Sequence, residues 1–171
     1  MLDLLLRPLR LAVQMLTAND SARQTAWGFS LGMMVGLLPK GNLLAIGLAM
    51  LLCALRVNRA AGLLAIGVFS YVGCGLDDLA HRIGAIVLTG LDSRAAFTAL
   101  YDMPLGPWLG FNNTVVMGQL LIGLYLFYPA YKAAHAVGLH VQPRITQRLM
   151  RYKVIRWLNG AELGVQWGLE G

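Results

Sequence analysis

Residues 27–55 read WGFSLGMMVGLLPKGNLLAIGLAMLLCAL. Gly28, Gly32 and Gly36 recur every four residues. After the turn Pro39-Lys40-Gly41-Asn42, so do Gly41, Ala45, Ala49 and Cys53. Residues four apart share one face of a helix. Each arm therefore carries a stripe almost without side chains, flanked by Leu, Met, Ile and Phe. In lipid, helices associate through close packing of such small residues rather than through a hydrophobic drive. The segment predicts a tight helical hairpin built for a bilayer, with Gly28, Gly32, Gly36, Gly41, Ala45 and Ala49 as its packing residues.

Composition supports that reading. Of 171 residues, 57% are hydrophobic and only 13% charged, against about 25% charged in ordinary soluble domains. Mean hydropathy is +0.61. A soluble fold of this size could not bury so much apolar surface. The expectation is one all-α integral membrane domain over 1–171, without an appended soluble module. The net charge of +6 is distributed as a topology signal rather than a nucleic-acid surface. Arg7, Arg10, Arg23, Arg56 and Arg59 flank apolar runs, and Arg144, Arg148, Arg151, Lys153 and Arg156 crowd the C-terminal part. Such flanks mark the cytoplasmic side, and no nucleic-acid motif accompanies them. Cys53 and Cys74 lie in apolar segments and read as small packing residues. The N-terminus lacks the basic start and cleavage site of a signal peptide.

Outward from the hairpin, residues 1–18 place Leu2, Leu5, Leu6, Leu9, Val13 and Leu16 opposite Asp3, Arg7, Arg10 and Gln14, the pattern of an interfacial helix. Ser21-x-x-Gln24 fits a capping box before the first arm. The arms, 21–38 and 43–55, would be about 27 and 20 Å long, short of a hydrocarbon core of about 30 Å. Either the 21–55 hairpin just crosses, or it is re-entrant. A second apolar run from residue 60 stops at Asp77-Asp78 and is followed by LAHRIGAIVLTG, giving a broken segment over 60–90. Residues 91–107 read as a non-cytoplasmic connection, with a short amphipathic helix from Asp92-Ser93-Arg94 ended by Met103-Pro104-Leu105-Gly106-Pro107. Residues 108–131 carry no charge, with Trp108 at one end and Tyr125, Tyr128 and Tyr131 toward the other, and form the clear transmembrane helix. A basic amphipathic helix is expected over 142–158. Amphipathic helices thus stand at both cytoplasmic ends of a multi-pass protein.

The stretch Ser21–Asn58 resembles a bacterial integral-membrane domain family whose function is not established. The match rests on Gly28-Phe29-Ser30-Leu31-Gly32, on Leu38-Pro39-x-Gly41-Asn42 and on Arg56-Val57-Asn58. The family's turn is richer in Gly and Pro than Lys40-Gly41-Asn42. Its second apolar run carries Asn-Pro where this chain has Phe69-Ser70-Tyr71. The resemblance implies a bacterial inner-membrane protein with cytoplasmic termini. Relatives stand alone or are fused to glycosyltransferase-like domains, and one stand-alone branch is encoded beside a larger envelope protein. The resemblance brings no catalytic residues or cofactor.

The candidate ligand or lipid contacts are Lys40, Asn42, Asp77, Asp78, His81 and Arg82. Lys40 would snorkel to the interface if the hairpin crosses. If the hairpin is re-entrant, it would place a cation at membrane depth suited to an anionic headgroup. Asn42 can also cap the return arm. Asp77 and His81, one helical turn apart, could bind a metal or relay a proton. The aspartates are equally ordinary as helix starts. With one histidine in the cluster, no metal site is assigned, and no phosphate loop, catalytic triad or zinc signature occurs. Arg144, Arg148, Arg151, Lys153 and Arg156 are expected to meet an anionic membrane surface. The expected role is a non-catalytic subunit without cofactor that contacts membrane lipids and anchors or docks a larger envelope protein, in lipid or glycan traffic. A small transporter or lipid-handling channel, and an enzyme on lipid-linked substrates, are the alternatives.

Overall fold

Ser21 and Gln24 form the expected reciprocal cap. The Ser21 hydroxyl accepts from the Gln24 amide at 3.3 Å, and the Gln24 side chain accepts from the Ser21 amide at 2.8 Å. They open α1 (Ala22–Leu37) in a computed structural model that describes residues 20–90, 98–99 and 101–141. The expected helices at 1–18 and 142–158, and residues 91–97 and 100 of the 91–107 connection, lie outside the described residues. Proline disfavours helical backbone in the residue before it, and Leu38, before Pro39, is extended. After the turn, α2 (Leu43–Ala54) starts on Asn42, whose side chain accepts from the Ala45 amide at 2.7 Å. α3 (Arg59–Gly75) starts in the same way on Asn58. Glycines are poor helix formers, whereas aspartates favour a helix start. The sequence Gly73-Cys74-Gly75-Leu76-Asp77-Asp78 accordingly breaks the helix, and α4 (Asp77–Gly90) departs at 75°. The described residues are helices and turns without strands.

A short helix, α5 (Gly106–Leu109), has proline in its first turn and ends on Gly110, whose φ of 71° lies in the left-handed region. α6 (Thr114–Ala136) then begins on Asn113, which accepts from the Val115 and Val116 amides. This corrects the expected span of 108–131: Trp108 belongs to α5, because Gly110 and Asn113 stop one helix and start another. α6 continues past Pro129 and Lys132 into a π-helical turn, Val137–Val141. With that turn it is the one helix among the described residues that is long and apolar enough by itself to cross a membrane, over Thr114–His140.

α1 is the central element, buried almost throughout from Thr25 to Leu38. Its glycines face α3, not α2. A side chain at Gly28 would strike the backbone of Asn58, and one at Gly32 that of Gly62; a Cβ at Gly36 would lie 2.8 Å from Phe69 Cβ. The pairs Gly28–Asn58, Gly32–Gly62 and Gly36–Ile66 advance together, so α1 and α3 run parallel with α2 as the return between them. The expectation that the two ladders of the hairpin face each other therefore fails. Gly41 has nothing within 4 Å of a built Cβ, and Ala49 is only half-buried. Ala45 is buried, in a cluster with Leu38 and Val116. α3 takes the contact by bringing the backbones of Asn58, Gly62 and Ile66 opposite the three glycines in register. Cys53 and Cys74, expected as packing residues, are free and exposed.

α6 lies antiparallel to α1. Gly138 meets Ala22, Trp27 packs on Phe127 and Tyr131, and Gly123 receives Met34 and Leu37. α4 crosses the start of α6 through a second small-residue contact, with Gly118 against the Ala80 backbone and Gly84 against that of Thr114.

Candidate functional site

Four of the six residues expected to touch a ligand, Lys40, Asn42, Asp77 and His81, make contacts where the hairpin turn, the α3–α4 bend and the start of α6 come together. Arg82 follows one residue beyond His81. The turn places Lys40 beside the last carbonyls of α1. Its ammonium donates to Val35 O at 3.0 Å, Gly36 O at 2.7 Å and Leu38 O at 3.1 Å. An ammonium has three N–H groups, and all are used. A cation is also favoured by the helix dipole at this end. Lys40 thus closes α1 on itself, and holding an anionic headgroup would mean giving up these bonds.

Asn42 has two roles. Its side-chain oxygen caps α2, while its amide nitrogen is buried with no hydrogen-bond partner in the structure. Asn42 lines an open cleft of ≈ 510 Å³ between the turn and the α5–α6 connection, together with Pro39, Trp108, Asn112 and Asn113. Three asparagine amides and one indole line the cleft among proline, glycine and valine residues, without a charged side chain. Such a lining offers hydrogen bonds and an aromatic face to an uncharged polar group.

The bend carries the second cluster. Gln119, 2% exposed, donates from its side-chain amide to Asp77 at 2.7 Å and to Gly73 O at 3.2 Å. One turn along, His81 Nδ1 and Thr114 Oγ1 share a hydrogen bond of 2.6 Å, its direction set by the imidazole tautomer. Asp77 and His81 face α6 together, but each is held by a different residue. No group of three potential metal ligands forms among the described residues. Asp78 and Arg82 are exposed.

Gln119, Asn112 and Asn113 are site residues that the sequence reading did not single out, and Trp108 was read there only as an interfacial mark. Gln119 left a usable signal as the one strongly polar side chain in TVVMGQLLIGLYLFY, where intramembrane polarity is rare. Asn113, just before the apolar run that begins at Val115, was a helix-start signal.

No family model matches the chain, and no solved structure does. An uncharacterized protein of Treponema pallidum (strain Nichols) is 28% identical over 119 residues, which cover 70% of this chain and 74% of that protein.

Proposed function

We propose that this chain is a multi-pass protein of a bacterial inner membrane and serves there as a non-catalytic subunit that anchors or docks a larger envelope protein. One observation carries the membrane part. Only 28% of the most apolar window of α6 is buried, whereas the core helix of a soluble protein is mostly buried. The exposed side chains around the bundle are large and apolar or aromatic, among them Met50, Leu63, Val68, Tyr71, Leu124 and Tyr125. Soluble monomers rarely expose contiguous apolar surface on that scale, and lipid would cover it without cost.

The subunit role is supported by how the ionisable groups are used. Lys40, Asp77 and His81 each hold one helix end or one helix pair, and chemistry would have to break those bonds. The resemblance of residues 21–58 to a family with members encoded beside a larger envelope protein points the same way. The amide-lined cleft favours a second reading, a lipid-handling protein that holds an uncharged headgroup.

Crosslinking in native membranes followed by affinity capture tests the leading reading. The expected result is one larger membrane or envelope protein in fixed stoichiometry. Recovery of lipid and copies of this chain alone overturns it. Loss of lipid handling in Trp108→Ala and Asn112→Ala, with partner capture unchanged, would select the second reading.

A further inference from the structure

We infer that the hairpin crosses the bilayer completely, so that α1, α2, α3 and α6 are four passes and α4 lies along the far interface. This rests on the membrane reading above and decides between the crossing and re-entrant forms that the short arms left open.

The depth of the turn is fixed by what it touches on α6. A re-entrant tip would end beside the middle of a spanning helix. Here Ala22, at the start of α1, packs on Gly138, while Leu38 and Ala45, on either side of the turn, are buried with Val116. Asn42 lies against Gly110, before α6 even begins. Between Val116 and Gly138 a helix rises by about 33 Å, and a hydrocarbon core is about 30 Å thick. α1 and its turn therefore accompany α6 from one end to the other. The return is also complete. The Asn58 amide donates to Gln24 O at 3.2 Å, so the α2–α3 connection is back beside the first turn of α1. α2 is short at 12 residues, and the connection to α3 adds Leu55–Asn58, extended at Leu55 and Asn58 and bent between them, where the Val57 amide donates to Leu55 O at 3.0 Å.

The polar groups sort to match. Arg23, Arg56, Arg59 and Lys132 belong to the end where α1 starts, beside the rings of Trp27, Tyr128 and Tyr131. Lys40 and Arg82 belong to the other end, together with Asp77, Asp78 and the exposed Trp108. Aromatic rings favour both interfaces, and the Lys/Arg excess marks the cytoplasmic one. At the tip, Lys40 and Asn42 close the two helix ends with their own side chains, and the exposed Lys40 suits an interface. Beyond the tip, α4 turns 75° from α3 and exposes Leu79 and Ile86 as well as Asp78 and Arg82, as suits a helix lying in an interface.

Single cysteines in a protein with Cys53 and Cys74 replaced by alanine test this. Gly41→Cys, Asn112→Cys, Arg56→Cys and Ala136→Cys would be treated with an impermeant maleimide in sealed vesicles of both orientations, with a detergent-opened control. Positions 41 and 112 are expected to label from one face, and 56 and 136 from the other. Labelling of 41 and 56 from the same face overturns the crossing. So does a position 41 that is silent from both faces yet reactive in detergent, because its tip would then lie within the bilayer. Alkaline carbonate extraction separates the two levels of failure. Release of the protein sinks the membrane reading itself, whereas retention with 41 and 56 on one face sinks only the crossing.

Discussion

Along α3, α1 presents Gly28 and Gly32 to the backbones of Asn58 and Gly62, and Gly36 to Phe69 Cβ and the Ile66 carbonyl, with room for nothing larger. Along α2, its immediate successor in the chain, the shared buried cluster is Leu38 with Ala45 close to the turn. Gly47 of α2 is open, and Ile46, Met50 and Leu51 are exposed. Both neighbours are apolar helices of similar composition. What separates them is register. α3 brings the backbones of Asn58, Gly62 and Ile66 opposite the three glycines, while α2 joins Leu38 through Ala45, close to the turn. A small-residue ladder selects the helix that offers another flat surface at the same spacing, not the helix that arrives first.

The sharpest way to break this comparison is Gly32→Leu. Overpacking a tight contact costs about 1–3 kcal/mol and occasionally more, and here the obstacle is the Gly62 backbone, which cannot rotate away. Thermal stability in detergent should fall by at least that amount, or the protein should fail to assemble. Gly47→Leu, with open space around it, should change stability by less than about 0.5 kcal/mol, as surface substitutions do. Equal effects at the two positions would end the distinction between the seams.

A smaller loss is expected for Lys40→Met, which leaves three carbonyls of the α1 end without their donor. The cost should be about 1 kcal/mol, the net value of a typical intramolecular hydrogen bond or somewhat more. Lys40→Arg, which retains donors, should recover part of it. If Lys40→Met is neutral in a melting experiment, the turn is held by packing alone.

The smallest effect is expected at the α4–α6 contact, where side-chain hydrogen bonds join a glycine approach. Interhelical hydrogen bonds in membranes average about 0.6 kcal/mol by double-mutant cycles. A cycle of Gln119→Leu with Asp77→Ala should return a coupling of that order. No coupling would leave Gly84 and Gly118 as the whole of that seam.

Much of the helix pattern was legible because local signals are strong. Ser21-x-x-Gln24 and Asn42 fix helix starts through their own side chains, and Asp77-Asp78 after Gly75 marks the break. The partner of the glycine ladder was not legible. A four-residue spacing says that a face is flat, but says nothing of which helix will cover it. The start of α6 was misplaced for a related reason: Trp108 looked like an interfacial mark, while the left-handed Gly110 that separates it from the helix is a backbone property. At the site, Asn42 and Asp77 could be read from position alone. Gln119 could not be joined to Asp77, because that pair exists only once α4 folds back across α6.

The parallel pairing of α1 with α3 also sets an order in time. When α1 leaves the ribosome, the surface that will cover its glycines has not been synthesised. It follows about thirty residues later, which at 5–20 residues per second is a delay of about 1.5–6 s. During that interval the chain must reverse direction twice while its flattest surface stands open. Any helix of suitable spacing, from another nascent chain or from an insertion factor, could occupy the groove first. During the interval between α1 and α3 the tightest seam of the protein is therefore open to competition.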